Sequence, residues 1–525
     1  MANERDDSAA EWMPRHNPWL ITVAVMLGTF MEVLDTSVAN VSLPHIAGSL
    51  SASTDEATWV LTSYLIANAI VLPAASWFGN LFGRKRFLIA CIVLFTLASA
   101  LCGAANSLGF IILARALQGI GGGALQPLSQ AILLESFPPE KRGAAMAAFV
   151  MGVVVAPVLG PTLGGWITDN YSWRWIFYIN LPVGVAAALM TNVFVEDPPY
   201  LKRNTARDID YVGLGLLAIW LATLQYVLDR GQELDWFASS AIVWFTLISA
   251  VAFVAFVVRE LTTDHPIVDL CVLKNRNFAL GAGMVLLLGG VLYGTITILP
   301  LFVQNLLGYT ALDAGIATSP RGIGAAIATI IVGRLVGRVQ NRILIGAGFL
   351  LLAWSSVMFG DIDLQISMRS IVVPGILNGF AIATIFVPLT TTTMGMLERG
   401  QIGNATGIFN LMRNVGGSVG IAAITTFITR TAQANQALLS PHMSKLNPVF
   451  EQRLAEITAM LTPKVGAWEG AKQAPQILYN TLLQQASLTS YVHGFRLIAF
   501  MCLLCAPLVL LFKTVAGATR QASAH

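Results

Sequence analysis

Two acids stand where acids are costly. Glu32 and Asp35 lie inside the apolar run WLITVAVMLGTFMEVLDTSVANVSL, residues 19–43. Three positions apart, they share one face if the run is helical, and Gly28, Thr36 and Asn40 extend that face as a small, polar stripe. An ionisable side chain at the middle of a bilayer costs roughly 3 kcal/mol or more, so such groups line internal pathways and are candidates for a proton or cation site. A buried cation needs a partner at similar depth. The stretch RALQGIGGG at 115–123, with Gln126 and Pro127 after it, puts Arg115, Gln118, Gly119, Gly122 and Gln126 on one helical face. If that span runs opposite to the first, Arg115 and Asp35 fall in the same half of the membrane and can pair. Arg115 holds its proton under any ordinary condition, so it would tune or replace an acid rather than carry the proton. A purely structural ion pair is the plainer alternative.

The elements that must position these groups are membrane spans. The 525 residues are 55% hydrophobic and only 11% charged, where a soluble domain carries about 25%. Mean hydropathy is +0.69, and a net charge of +3 is too small to argue for nucleic acid. A window of about 20 residues finds fourteen spans, starting near Trp19, Thr58, Phe87, Leu108, Ala144, Trp175, Tyr211, Phe237, Phe278, Asp313, Ile343, Ile371, Ala405 and Tyr491. Loops that an inside amino terminus would make cytoplasmic hold Arg84, Lys85, Arg86, Lys141, Arg142, Lys202, Arg203, Arg207, Arg259, Lys274, Arg276, Arg334, Arg338, Arg342 and Arg399. The opposite short loops hold Arg230 and Arg369, with Arg174 at a span edge. That asymmetry puts both termini in the cytoplasm. The first 18 residues are polar, carry Pro14 and Pro18 and lack a cleavage signature, so the first span is expected to stay.

Internal echoes organise the spans. PPEKRG (138–143) after span four is answered by LERG (397–400) after span twelve, and GRKR (83–86) after span two by GRLVGR (333–338) after span ten. Both echoes are eight spans apart, which fits two six-helix bundles around an inserted hairpin. Parallel repeats of this kind are the plan of major facilitator transporters. The expected divisions are a tail at 1–18, a bundle at 19–196, a hairpin at 208–259, a second bundle at 278–515 and a tail at 516–525. A long loop at 431–490, with helix-forming stretches at 447–461 and 467–488, faces the exterior as a solvated cap or a docking surface.

Further residues follow helical spacing. In span five Gly152, Ala156, Gly160 and Gly164 form a small-residue ridge, with Gly165 beside it. Pro157 and Pro161 each remove a helix hydrogen bond there, which suits a helix that bends. Trp173, Trp175 and Tyr178 read as an interfacial aromatic belt. In the second half, Arg321 and Arg413 have no acid in their own spans, and Asn410, Arg413, Asn414 and Gly417 share a face. A central cavity with these arginines would tolerate neutral or anionic ligands. Gln118, Gln126, Asn378, Asn410 and Arg413 are its candidate polar contacts, and Tyr293, Phe380, Phe386 and Phe409 its candidate aromatic walls.

LDTSVANVSLP (34–44), RALQG (115–119), GPTLGG (160–165) and WRWIFYINLPVG (173–184) together resemble the fourteen-helix drug:proton antiporters of the major facilitator superfamily, in their EmrB branch. LDRGQELDWF (228–237), HPIVDL (265–270) and the long final loop extend the likeness over nearly the whole chain. The resemblance implies an all-α integral membrane protein of the inner membrane, driven by the proton gradient without a cofactor. It implies that Asp35 and Arg115 are the proton-coupling pair, that the span-five ridge is the antiporter motif, and that Arg413 matches a span-thirteen arginine. It also implies a periplasmic adaptor protein and a TolC-type outer-membrane channel as partners. The chain departs from the branch at Asn80, where the loop after span two usually has Asp, and at Glu32 and Arg321, where uncharged residues are common.

Other classes fit poorly. The six histidines at 16, 45, 265, 442, 493 and 525 are scattered, without metal spacing, so an integral membrane enzyme is a remote alternative. None of the eight lysines follows a glycine, which excludes a Walker A loop and an ATP-driven pump of that kind. Four of the five cysteines lie in apolar runs and Cys271 in an expected cytoplasmic loop, so no extracellular disulfide framework is indicated. A dedicated exporter of one metabolite class, such as a fatty acid or siderophore, would share the fold and differ only in ligand profile.

Overall fold

The computed structural model describes residues 13–138, 141–198, 210–336, 338–395, 397–444 and 446–512. Within them, fourteen helices are long and apolar enough to cross a bilayer. They are α1 Pro18–Ser49, α2 Trp59–Phe82, α3 Arg84–Gly103, α4 Leu108–Ser136, α5 Arg142–Asn170, α6 Trp175–Phe194 and α7 Tyr211–Arg230. The rest are α8 Ser240–Thr262, α9 Arg276–Asn305, α10 Asp313–Leu335, α11 Asn341–Phe359, α12 Arg369–Met394, α13 Ile402–Leu439 and α14 Ala467–Leu508. Among the described residues the one extended pairing is an isolated bridge between Val336 and Val339. Lys202, Arg203 and Arg207, Pro139 and Glu140 of the first echo, and the tail at 516–525 lie outside the described residues.

Local chemistry sets the helix starts. Asn17 accepts a hydrogen bond from the Trp19 amide with Pro18 at the first turn, which opens α1. Asn275 accepts from the amides of Asn277 and Phe278 and opens α9 ahead of the Phe278 start expected from hydropathy. The Asp210 carboxylate caps α7 through the Gly213 amide and pairs with Arg259 on α8 at 2.8 Å, closing the inserted hairpin at its basic-loop end. Capping and charge, rather than apolar content, therefore place the ends.

The packing carries the eight-span repeat. α1 lies on α5 as α9 lies on α13, α2 on α4 as α10 on α12, and α3 on α6 as α11 on α14. The bundles meet reciprocally too, α2 against α13 and α10 against α5. The hairpin seals one of these seams. Asp229 of α7 accepts from Thr62 of α2 at 2.9 Å, while Gln225, which donates to Asp229, accepts from Ser418 of α13 at 2.9 Å.

The span-five ridge packs on α1. A side-chain carbon at Gly160 would come 2.2 Å from the Ser37 hydroxyl, so only glycine permits this approach. Pro161 has no N–H for the Pro157 carbonyl four residues earlier, and Ser37 donates to that carbonyl at 2.9 Å instead. Gly164 meets Val38, Gly152 meets the Met26 methyl, and Gly165 is buried beside them.

The structure differs from expectation in three places. The two helices expected within 431–490 are present, Pro448–Val465 and one from Ala467, but they are not set apart from the spans: α13 runs on to Leu439, and α14 continues unbroken from Ala467 past the expected start at Tyr491. Helices of 38 and 42 residues span roughly 57 and 63 Å at 1.5 Å per residue, against a hydrocarbon core of about 30 Å. Their surplus turns, with the Pro448–Val465 helix folded back at Gly466 (φ 86°), form a helical projection. Hydropathy sees only the apolar part of such a helix. Trp173 is buried and packs edge-on to Phe177, with the Arg174 guanidinium 4.4 Å from its ring centre, whereas Trp175 is exposed as a belt residue would be. Arg84, grouped by sequence with a solvated basic run, is buried against Glu135 at the end of α4.

The contact between Gly160 and Ser37 yields a direct expectation. Gly160→Leu overpacks the α1–α5 seam, and such changes cost about 1–3 kcal/mol. Thermal unfolding of purified protein should show a lowered midpoint for Gly160→Leu and a partial recovery in Gly160→Leu/Ser37→Gly, where the blocking hydroxyl is gone but the Pro157 carbonyl loses its donor.

Candidate functional site

The site is built around two carboxylates of α1. Asp35 is 3% exposed and fully engaged. Its Oδ2 accepts from Arg115 Nη1 at 2.5 Å, and its Oδ1 from Gln118 Nε2 at 3.0 Å and Asn180 Nδ2 at 2.7 Å. Arg115 also donates from Nε to the Val60 carbonyl at 3.1 Å, and its guanidinium lies 4.6 Å from the Tyr64 ring centre and 5.5 Å from that of Phe177. α1, α2, α4 and α6 thus converge on one buried ion pair, and every partner of Asp35 belongs to the amino-terminal bundle.

Glu32, one turn away, is 4% exposed and accepts only from uncharged donors. Tyr64 and Asn68 of α2 donate to its Oε1 at 3.1 and 3.2 Å, and Gln126 Nε2 of α4 donates to its Oε2 at 2.6 Å. The Gln126 carbonyl oxygen in turn accepts from Arg413 Nη2 of α13, in the opposite bundle. One turn further along α4, Gln130 accepts from Asn410 of α13 at 2.6 Å. Gln126 and Asn410, expected around a cavity, each instead make a direct hydrogen bond across the bundle interface, Gln126 with Arg413 and Asn410 with Gln130.

The other candidates divide. Phe386 lies under Arg413, 5.9 Å from its guanidinium, and meets Phe409 edge-on. Tyr293 is half-buried, its ring filling the space beside Gly417. Phe380 is half-buried against the core. Asn378 stands apart, donating to Ser355 of α11 at 3.2 Å. Of the stripe beside the acids, Gly28 is buried, Thr36 half-buried and Asn40 exposed. Arg321 is buried with Nε and Nη2 unpartnered, and Arg413 likewise with Nε and Nη1. Such donors in a low-dielectric interior invite an acceptor.

Sequence reasoning missed Tyr64, Asn68, Gln130 and Asn180. Tyr64 and Asn68 are four apart on an apolar span, as are Gln126 and Gln130, so the spacing held a signal. Asn180 sits in WRWIFYINLPVG, yet nothing local says that it reaches Asp35.

Comparison with known proteins now fixes the family. The Major Facilitator Superfamily model matches residues 25–421. The chain belongs to that superfamily. Within it the chain is 39% identical to the multidrug export protein EmrB of Escherichia coli K12 over 445 residues, 84% of this chain and 86% of that one. It is 37% identical to the fatty acid resistance protein FarB of Neisseria gonorrhoeae over 495 residues, 94% of this chain and 96% of that one. The fold is also that of the human organic anion transporter MFSD10, with a TM-score of 0.57 at 14% identity over 93% of this chain and all of that one. As a facilitator-family chain, it is an EmrB-type, multi-pass membrane transporter.

A buried ion pair of this kind has a test of its own. Arg115→Met leaves Asp35 buried and unpaired and should cost about 3–5 kcal/mol, whereas Arg115→Met/Asp35→Leu should cost clearly less. Unfolding midpoints in detergent read the difference, and equal losses would show that the pair does not constrain the bundle.

Proposed function

We propose that this protein is a proton-coupled antiporter that exports hydrophobic, structurally varied compounds across a bacterial inner membrane, with both termini in the cytoplasm. The observation that carries the reading is the pair of buried carboxylates on α1, one held by Arg115 within its bundle and one linked through Gln126 to Arg413 of the other. Likeness to EmrB proteins, named as multidrug exporters, supports the substrate class. A proton from the outer side enters Glu32 or Asp35, substrate leaves, and release of the proton to the cytoplasm resets the carrier. Each protonation changes the charge balance at a two-state interface, which is how a proton gradient biases rocking bundles.

A dedicated exporter of anionic metabolites is the second reading. The unpartnered donors of Arg321 and Arg413 favour it, as does likeness to a fatty acid resistance protein. Efflux of a fluorescent cationic or neutral drug from everted vesicles tests the first reading. Wild type should respond to the proton gradient, and Asp35→Asn or Glu32→Gln should lower the gradient-driven rate by roughly a hundredfold or more while substrate still binds. Wild-type indifference to the gradient would overturn proton coupling. Transport of a long-chain fatty acid but no drug would move the assignment to the second reading.

The helical projection is the proposed docking element for a periplasmic adaptor that leads to a TolC-type outer-membrane channel. The Pro448–Val465 helix has no buried residue, and Leu446, Val449, Met460 and Trp468 expose apolar surface around it. Replacing Pro448–Val465 by a short flexible linker should abolish capture of a co-expressed adaptor, and undiminished capture would overturn this role.

A further inference from the structure

The Glu32–Gln126–Arg413 chain crosses from one bundle to the other, and its geometry has one direction built in. Gln126 can serve both neighbours only with its amide nitrogen toward Glu32 and its oxygen toward Arg413. That orientation requires an accepting carboxylate on one side and a donating guanidinium on the other. We propose that Gln126 is the positioning residue that converts protonation of Glu32 into release of Arg413, and hence of the carboxy-terminal bundle. The proposal rests on the proton-coupled reading above.

The steps follow from donor counting. Oε1 of Glu32 already meets two donors, Tyr64 and Asn68, while Oε2 meets one, so a proton arriving from water is accommodated at Oε2. The new O–H then faces the Gln126 N–H, donor against donor. Turning the Gln126 amide over lets its oxygen accept from Glu32, but turns its NH2 group toward Arg413, which is also a donor. The bond across the interface is lost. Arg413, whose Nε and Nη1 are already unpartnered, is left with a third donor open. Loss of the proton reverses each change.

The surroundings keep the switch on Glu32. Asp35 on the same helix is occupied by Arg115, Gln118 and Asn180. α2 offers Tyr64, and α4 offers Arg115, which is committed to Asp35. The titratable side chains of α5 lie at its ends, Arg142 and Asp169, and α6 has only Tyr178, which packs against Gly103. From the opposite bundle, Arg413 is the charge that reaches the site. The neighbouring Asn410–Gln130 bond joins two neutral amides and does not respond to pH.

The test is a distance measurement on full-length protein in nanodiscs, with spin labels on exposed Arg86→Cys and Gln340→Cys, one per bundle, in a Cys271→Ser background. The other four cysteines are buried. In wild type, moving from mildly basic to mildly acidic pH should shift the interbundle distance populations by roughly tenfold, the scale of one hydrogen bond to a charged group. Gln126→Leu should hold the acid pattern at every pH. Gln126→Glu should hold the basic pattern at every pH, because its carboxylate keeps Arg413 whatever the state of Glu32. That gain of a locked state is not a result misfolding can produce. A wild-type pH shift retained in both variants would overturn the role of Gln126 while leaving gradient-driven efflux, and so the antiporter reading, intact. Loss of gradient response in wild-type vesicles would instead remove the reading on which the proposal rests.

Discussion

A charge buried in a low-dielectric interior must be answered locally, and that constraint shapes the amino-terminal bundle. Asp35 is met by a cation and two amides from α4 and α6, and Arg115 by a backbone carbonyl and two aromatic faces as well. Four helices are fixed in rotation and depth by these bonds. The glycine ridge of α5 is the apolar counterpart on the other side of α1, where close approach replaces polar bonding and Ser37 takes up the carbonyl freed by Pro161. α1 is thus clamped on one face by electrostatics and on another by shape.

The two acids, one turn apart, have different surroundings. Asp35 is enclosed by its own bundle, so a change there acts on internal packing. Glu32 meets neutral donors, one of which reaches an arginine of the other bundle. Glu32 is thereby linked, through Gln126, to the interface between the bundles. The carboxy-terminal half has no corresponding acid pair, and Arg321 and Arg413 keep unpartnered donors. One half is arranged around two buried carboxylates and the other around arginines with donors that lack acceptors.

The inserted hairpin and the helical projection show how additions fit a repeated plan. α7 joins both bundles through Asp229 and Gln225 at the α2–α13 seam, a cover that among the described residues the hairpin does not extend to the reciprocal α5–α10 seam. The projection adds turns to α13 and α14, and Gln436 donates to the Tyr479 hydroxyl at 2.8 Å, tying the two extensions together.

Sequence by itself determined the number of spans, the eight-span repeat and the pairing of Asp35 with Arg115. Long apolar runs have no stable alternative to helices in lipid, and two opposite charges at one depth have little choice of partner. It also marked Glu32, Gln126 and Arg413 as polar residues facing inward. It did not place Trp173 inside, Asn378 against Ser355, or Arg84 on Glu135, because helical periodicity reports which face a residue shares and not what lies across from that face. Nor could hydropathy see that α14 starts at Ala467, since its first turns are largely polar and exposed. Tertiary structure alone decided that Gln126 reaches both Glu32 and Arg413, because that contact depends on how two bundles dock, a relation between residues 287 positions apart.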